Sequence, residues 1–303
     1  TDAVRRIRGY STRTLQLIGM AASALVSLST LEHAPRGFAR AKVFSKLQSW
    51  KRLHQHMHIH ECLVHVLFNI ARSTPRSHPT YWLQALVFMV SAEYVSNDGT
   101  NHQNKHLCLL TTQILVRVME VKGVPSTVTK GTTKILTHAL LLVNNAATLW
   151  KKEHYAQWQA LLEAVCALVY LVTCSTKAIS HVIGSDPGAS EEDIMELIAT
   201  LTELGFAEHS ALRYLLHGTS MAAVANIARM QRYRLFLIEH GAVAIIDQVM
   251  ASAVVHNEPH HVALCVVTLR TLAKDDQSNT HVVQLGGLGA LLNALKYANS
   301  SAE

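Results

Sequence analysis

The chain has 303 residues, 49% of them hydrophobic and 16% charged, with a net charge of +6 and only 14 Gly and 6 Pro. That length buries roughly three quarters of the unfolded chain's surface when compact, and the scarcity of breakers excludes a strand-rich fold with many tight turns. Five cysteines at 62, 108, 166, 174 and 265, an odd number without a CxxC, exclude a disulfide scaffold and fit a reducing compartment.

The first 52 residues hold ten Lys/Arg against Asp2 and Glu32, a net +8, so the other 251 residues sum to −2. Such a block suits RNA, an acidic protein surface or an anionic membrane. Arg5, Arg6, Arg8, Arg40, Lys42, Lys46, Lys51 and Arg52 are its candidate contacts. Within it "RRIRGYSTRTLQ", rich in Arg and hydroxyl residues and free of acids, resembles the tail of a mitochondrial targeting sequence, with Arg8-Gly9-Tyr10-Ser11 as a matrix-peptidase context. The start at Thr1 and not at Met is separately expected of a processed chain. The expected address is the mitochondrial matrix, with cytoplasm or nucleus as the alternative.

The stretch "HQHMHIHECLVH" (54–65) follows. At 100° per residue, His54, His58, Glu61 and His65 fall within about 60° of one another. They lie opposite an apolar stripe of Ile59, Leu63, Val66, Leu67 and Ile70. The polar set spans about 16 Å of helix, whereas one zinc ion needs ligands at ~2 Å. His60-Glu61 is followed by histidine at 65, not 64, which breaks the zincin spacing. The segment is expected to be a helix with a solvated or partner-facing side and no metal.

Breakers at 73–79, 96–105, 122–133, 184–190, 256–261 and 274–281 divide the remainder into blocks of helical period. The longest apolar run, "ALLEAVCALVYLVTC" (160–174), is 15 residues with Glu163 inside it, short of the ~20 a bilayer span needs, so a buried helix is expected. After "GSDPG", Ser190 and Asp193 form a capping-box-like start for a helix with Ile194, Leu197, Ile198, Leu201 and Leu204 on one stripe. No period-2 run of β-branched residues is bounded by turn signals. The chain reads as all-α.

The last third repeats. "IEHGAVAIIDQV" (238–249) and "VQLGGLGALLNAL" (283–295) align with Gly241 over Gly286, 45 residues apart, and "AVANIA" (223–228) aligns with "TLRTLA" (268–273) at the same interval. Each unit sets a glycine between two short helices, where absence of Cβ lets the chain turn sharply. Related hexamers lie upstream: "ALVSLS" (24–29), "VLFNIA" (66–71) and "ALVYLV" (167–172).

This order of an "ALxNLA"-like helix, a polar loop, a helix ending in Gly and an "LLxxL" helix resembles armadillo repeats over residues 190–298, with armadillo- or HEAT-like pairs upstream. The resemblance implies a right-handed superhelical α-solenoid whose third helices line a concave face. It divides the chain into a basic segment (1–52), divergent repeats (53–183) and armadillo-like repeats (184–303). In the family, the fourth hexamer position points into the groove, and asparagine there holds an extended peptide. Those positions are Ser27, Asn69, Tyr170, Asn226 and Thr271. Only two are asparagine and the tryptophan ladder of import receptors is absent, so import-receptor function is not expected. Arg72 and Arg229 follow the two asparagines by three residues and share their face. In "RMQRYR" (229–234), Arg232, Tyr233 and Arg234 combine phosphate-matching forks with a stacking ring suited to single-stranded RNA.

Catalytic motifs fail on inspection. "GTSMA" (218–222) lacks the closing glycine of a nucleophile elbow, "TKGTT" (129–133) reverses the phosphate-loop order, and no carboxylates pair as general acid and base. The expected function is a non-catalytic scaffold subunit that holds other protein subunits in a complex, with a ribonucleoprotein or RNA-processing assembly favoured and direct RNA contact open. It implies no cofactor, no small-molecule substrate and no membrane span. The alternatives are a peptide-binding adaptor and a metal-dependent enzyme built on the His-rich helix.

Overall fold

A computed structural model describes residues 12–31, 33–40, 57–73, 109–110, 112–114, 116–117, 120, 156–176, 179–180, 191–206 and 210–300. Every regular element among them is helical, as the periodicity predicts. The chain divides into two compact units, Thr1–Pro125 and Ser126–Glu303. The expected divisions at 52/53 and 183/184 lie outside the described residues.

The first unit contains α1 (Thr12–Ser29), α2 (Ala34–Arg40) and α3 (Met57–Ser73). α1 and α3 lie along each other, and α2 touches both. All five residues of the predicted α3 stripe, Ile59, Leu63, Val66, Leu67 and Ile70, are buried, and Cys62, Val64 and Ala71 widen it. Asn69 Nδ2 donates to Ser29 Oγ at 2.9 Å, tying α3 to the end of α1.

The second unit holds eight α-helices among its described residues. They are α4 (Ala156–Cys174), α5 (Glu191–Gly205), α6 (Ser210–Ala228), α7 (Arg234–Glu239), α8 (Ala242–Val255), α9 (Pro259–Leu272), α10 (Asp276–Gln284) and α11 (Gly287–Ser300). A short 3₁₀ turn, Gln231–Tyr233, precedes α7. The predicted α5 stripe is buried throughout. Ser190, its proposed cap, lies outside the described residues.

Packing is sequential. α4 rests on α6 and α6 on α9; α5 covers α6 from another side; α8 packs on α9 and on α11; α7 meets α10. α6 is thus sheltered on several sides, and its surface accommodates this with Ala223, Ala225, Ala228 and the hydroxyls Thr219 and Ser220, which are buried. Both hydroxyls donate to carbonyls four residues back, at 2.8 and 2.9 Å, so they carry no unmet hydrogen bond.

The 45-residue recurrence is visible in the backbone. Gly241 and Gly286 both adopt φ +92°, the left-handed region closed to most residues with Cβ. At Gly241 this turn sets Gln231–Glu239 at 74° to α8. Among the described residues no neighbour lies within 4 Å of a Cβ built on either glycine, so conformation is what requires glycine there. A close approach occurs at Gly287, where a Cβ would sit 2.8 Å from the Val282 carbonyl oxygen.

Candidate partner-binding surface

α4, α6 and α9 each carry one of the hexamers singled out by sequence, and their consecutive packing decides where the fourth positions fall. Asn226 on α6 is buried, with Nδ2 3.4 Å from Thr173 Oγ1 and 3.2 Å from Cys174 Sγ on α4. Its amide joins two helices of the chain, as Asn69 does in the first unit. Both amide nitrogens are engaged within the chain.

Tyr170 differs. It is half exposed, one turn before Cys174, which is also exposed. Its phenol is held above the usual tyrosine range, first by a hydrogen bond with Cys174, while the positive charge of Arg229 acts in the opposite direction. Tyr170, Cys174, Asn226 and Arg229 therefore form one neighbourhood across α4 and α6, and Arg229 is exposed. Thr271 on α9 is half-buried and donates to the Val267 carbonyl at 2.7 Å, a bond within its own helix. Arg72 is exposed in the last turn of α3, and Ser27 is exposed on α1.

The "RMQRYR" segment separates into two kinds of residue. Arg232 is exposed, stacks over the Tyr233 ring with Cζ 4.5 Å from the centroid, and donates to Ser180 Oγ. Tyr233 and Arg234, expected alongside it as RNA contacts, are buried. Arg234 Nε donates to the Ala228 carbonyl at 2.8 Å, closing the end of α6. Its Nη1 donates to Asp275 Oδ2 at 2.7 Å. Asp275 also caps α10, accepting from the Ser278 amide at 2.9 Å. That amide first, and Arg234 second, hold the Asp275 carboxyl down to about 2.

A second ion pair repeats the device at the starts of α6 and α9. Arg213 Nη2 donates to Glu258 Oε1 at 2.9 Å, and His261 Nδ1 lies 2.9 Å from Glu258 Oε2. Burial opposes the charge on Glu258, but the hydrogen bonds from Arg213 and His261 outweigh it and hold its carboxyl below the usual range. Beside this cluster His217 is fully buried, its Nε2 3.3 Å from the Thr202 carbonyl and its Nδ1 without a hydrogen-bond partner among the described residues. A Cβ on Gly205 would lie 2.3 Å from that ring, so glycine makes room for it. Burial pushes the His217 imidazole down to about 4.

Sequence reasoning missed both ion pairs. Arg213 and Glu258 are 45 residues apart, the repeat interval itself, and that coincidence was the available signal. Arg40 ends α2, and its side chain is outside the described residues, as are Arg5, Arg6, Arg8, Lys42, Lys46, Lys51 and Arg52. On the His-rich helix, His58 Nε2 lies 3.5 Å from Ser23 Oγ and 3.9 Å from Cys62 Sγ. Among the described residues no three His, Cys, Asp or Glu side chains converge to hold an ion.

Nor among them is any single helix long and apolar enough to cross a membrane. No family model, curated protein or solved structure matches this chain.

Proposed function

We propose that the chain is a non-catalytic scaffold in which armadillo-like repeats stack as an α-solenoid and hold other protein subunits of a complex. The observation that carries this reading is the succession α4, α6, α9, each helix bearing a repeated hexamer and each packed on the next. The equal φ of Gly241 and Gly286 supports it, because equivalent turns 45 residues apart give equivalent helix placements. The partner-facing residues on this reading are Tyr170 and Arg229 in the second unit and Arg72 in the first. Asn69 and Asn226 serve the scaffold's interior.

An aromatic ring and a guanidinium side by side suit a protein surface with carboxylates. The test is affinity purification of the full chain with mass-spectrometric identification of partners, repeated for Tyr170→Ala with Arg229→Glu. The expected result is loss of specific partners without loss of helicity. Partner recovery identical to that of the parent chain would remove the surface from the proposal.

RNA contact is a second reading, favoured by the net +8 of residues 1–52 and the exposed Arg232. It assigns the complex to RNA processing, with a mitochondrial address resting on "RRIRGYSTRTLQ". Direct contact through several arginines makes association fall steeply with salt. A complex that survives both nuclease and high salt would leave protein contacts as the only link.

A further inference from the structure

In the first unit, three side chains that can hold a cation converge where α1 meets α3. His58 and Cys62 stand one turn apart on α3, at the i, i+4 spacing that brings two side chains to one face. His58 Nε2 and Cys62 Sγ are 3.9 Å apart. Ser23 Oγ, from α1, lies 3.5 Å from that nitrogen and 3.7 Å from that sulfur. The Ser23 hydroxyl donates to the Gly19 carbonyl at 3.0 Å, so its oxygen faces the other two groups with lone pairs alone.

These separations are long for hydrogen bonds between such groups, and mutual pairing does not account for the convergence. A shared ion does. The point equidistant from the corners of a triangle with sides of 3.5, 3.7 and 3.9 Å lies about 2.1 Å from each. Zinc bonds to nitrogen and oxygen have about that length, and its bond to a thiolate is about 2.3 Å. Thiolate with imidazole is a donor pair that suits zinc and not magnesium or calcium. The approach is open as well. Ser23 and His58 line a groove of about 760 Å³ with Leu15, Gly19, Met20 and Ile59, while Cys62 is buried beneath them. Water from the groove can complete a tetrahedral shell.

We infer that Cys62, His58 and Ser23 bind one zinc ion, which fastens α1 to α3. Binding exchanges the thiol proton for the metal: the S–H bond of Cys62 breaks, the Zn–S bond forms, and the proton leaves to solvent. Ser23 remains a neutral hydroxyl, its proton on the Gly19 carbonyl. The His-rich stretch of α3 does not disclose the site, because the third donor stands 35 residues before His58. The inference is independent of the stacked-repeat reading of the second unit.

The test is titration of the full chain, stripped of metal by a chelator, with Co²⁺ as an optical stand-in for zinc. One equivalent is expected to give thiolate-to-cobalt charge-transfer absorption, which Zn²⁺ then removes by displacement. Cys62→Ser should lose the band. His58→Gln should weaken binding about tenfold or more, since even a partner hydrogen-bonded to a ligand is worth that much, and Ser23→Ala should weaken it less. Cys174→Ser, which removes an exposed thiol of the second unit, should change nothing. His58 and Ser23 are exposed, so their variants keep the fold, and circular dichroism checks Cys62→Ser. Zinc should also slow amide exchange in Thr12–Ser29 of the parent chain but not of His58→Gln. Absence of a charge-transfer band overturns the inference, as does a band that survives Cys62→Ser or vanishes with Cys174→Ser. Unchanged affinity in both His58→Gln and Ser23→Ala overturns it too, because the thiol then binds alone.

Discussion

Acidification tests the interior of the second unit through His217. Its imidazole is fully buried and depressed from 6.5 to about 4, first by burial. The unfolded chain therefore binds a proton near pH 6.5 that the folded chain refuses until about pH 4, and stability falls as pH drops through that window. Each pH unit costs about 1.36 kcal/mol, so His217 alone removes about 3 kcal/mol between pH 6.5 and 4. Below pH 4 its share of the loss is constant. Arg213, Glu258 and His261 surround the ring, and their charges enter the same balance. The loss from Asp275 begins lower, below its ordinary 3.8, and continues towards its folded value of about 2. Urea unfolding followed by far-UV circular dichroism, at half-unit steps from pH 7.5 to 4, reads the slope for the parent chain and for His217→Gln. Glutamine keeps a donor for Thr202 and removes the titration, so the difference between the two curves isolates this ring from the other histidines. Equal slopes between pH 6.5 and 4.5 would refute the argument.

Other expectations follow from geometry. Gly241→Ala and Gly286→Ala should each cost about 1–2 kcal/mol in denaturant unfolding, because both force Cβ into the left-handed region, and the two costs should match. Arg213→Leu strips the half-buried Glu258 carboxylate of two N–H donors to Oε1, and losing such charge-assisted hydrogen bonds costs about 1.5–3 kcal/mol, measurable as a lowered denaturation midpoint. Burial pushes the Cys166 and Cys265 thiols up to about 12, whereas Cys174 is exposed. Iodoacetamide should therefore label Cys174 in the native chain and reach the other two only on unfolding, as read by peptide mapping.

Helix content and the apolar stripes of α3 and α5 were legible because a period of 3 to 4 residues records burial directly. The turns at Gly241 and Gly286 were legible too, since glycine at a fixed interval marks a backbone need. The surface was harder to read. The segment from Arg229 to Arg234 looks uniformly basic, yet only the fold decides that Arg232 faces outward while Arg234 turns in to Asp275. Asn226 is a related case: its amide suits a ligand backbone, and α4 stands close enough to engage it. Such choices depend on distances between helices far apart in sequence, and residue type alone does not encode them.

The closure of α6 by Arg234 has a wider meaning. The carbonyl of Ala228 is satisfied from beyond the helix, by a side chain that is itself held by the cap of α10. The two helix ends thus share one fastening, and damage at Asp275 would loosen the chain 47 positions upstream. A substitution at Asp275 is therefore expected to weaken two helix ends together.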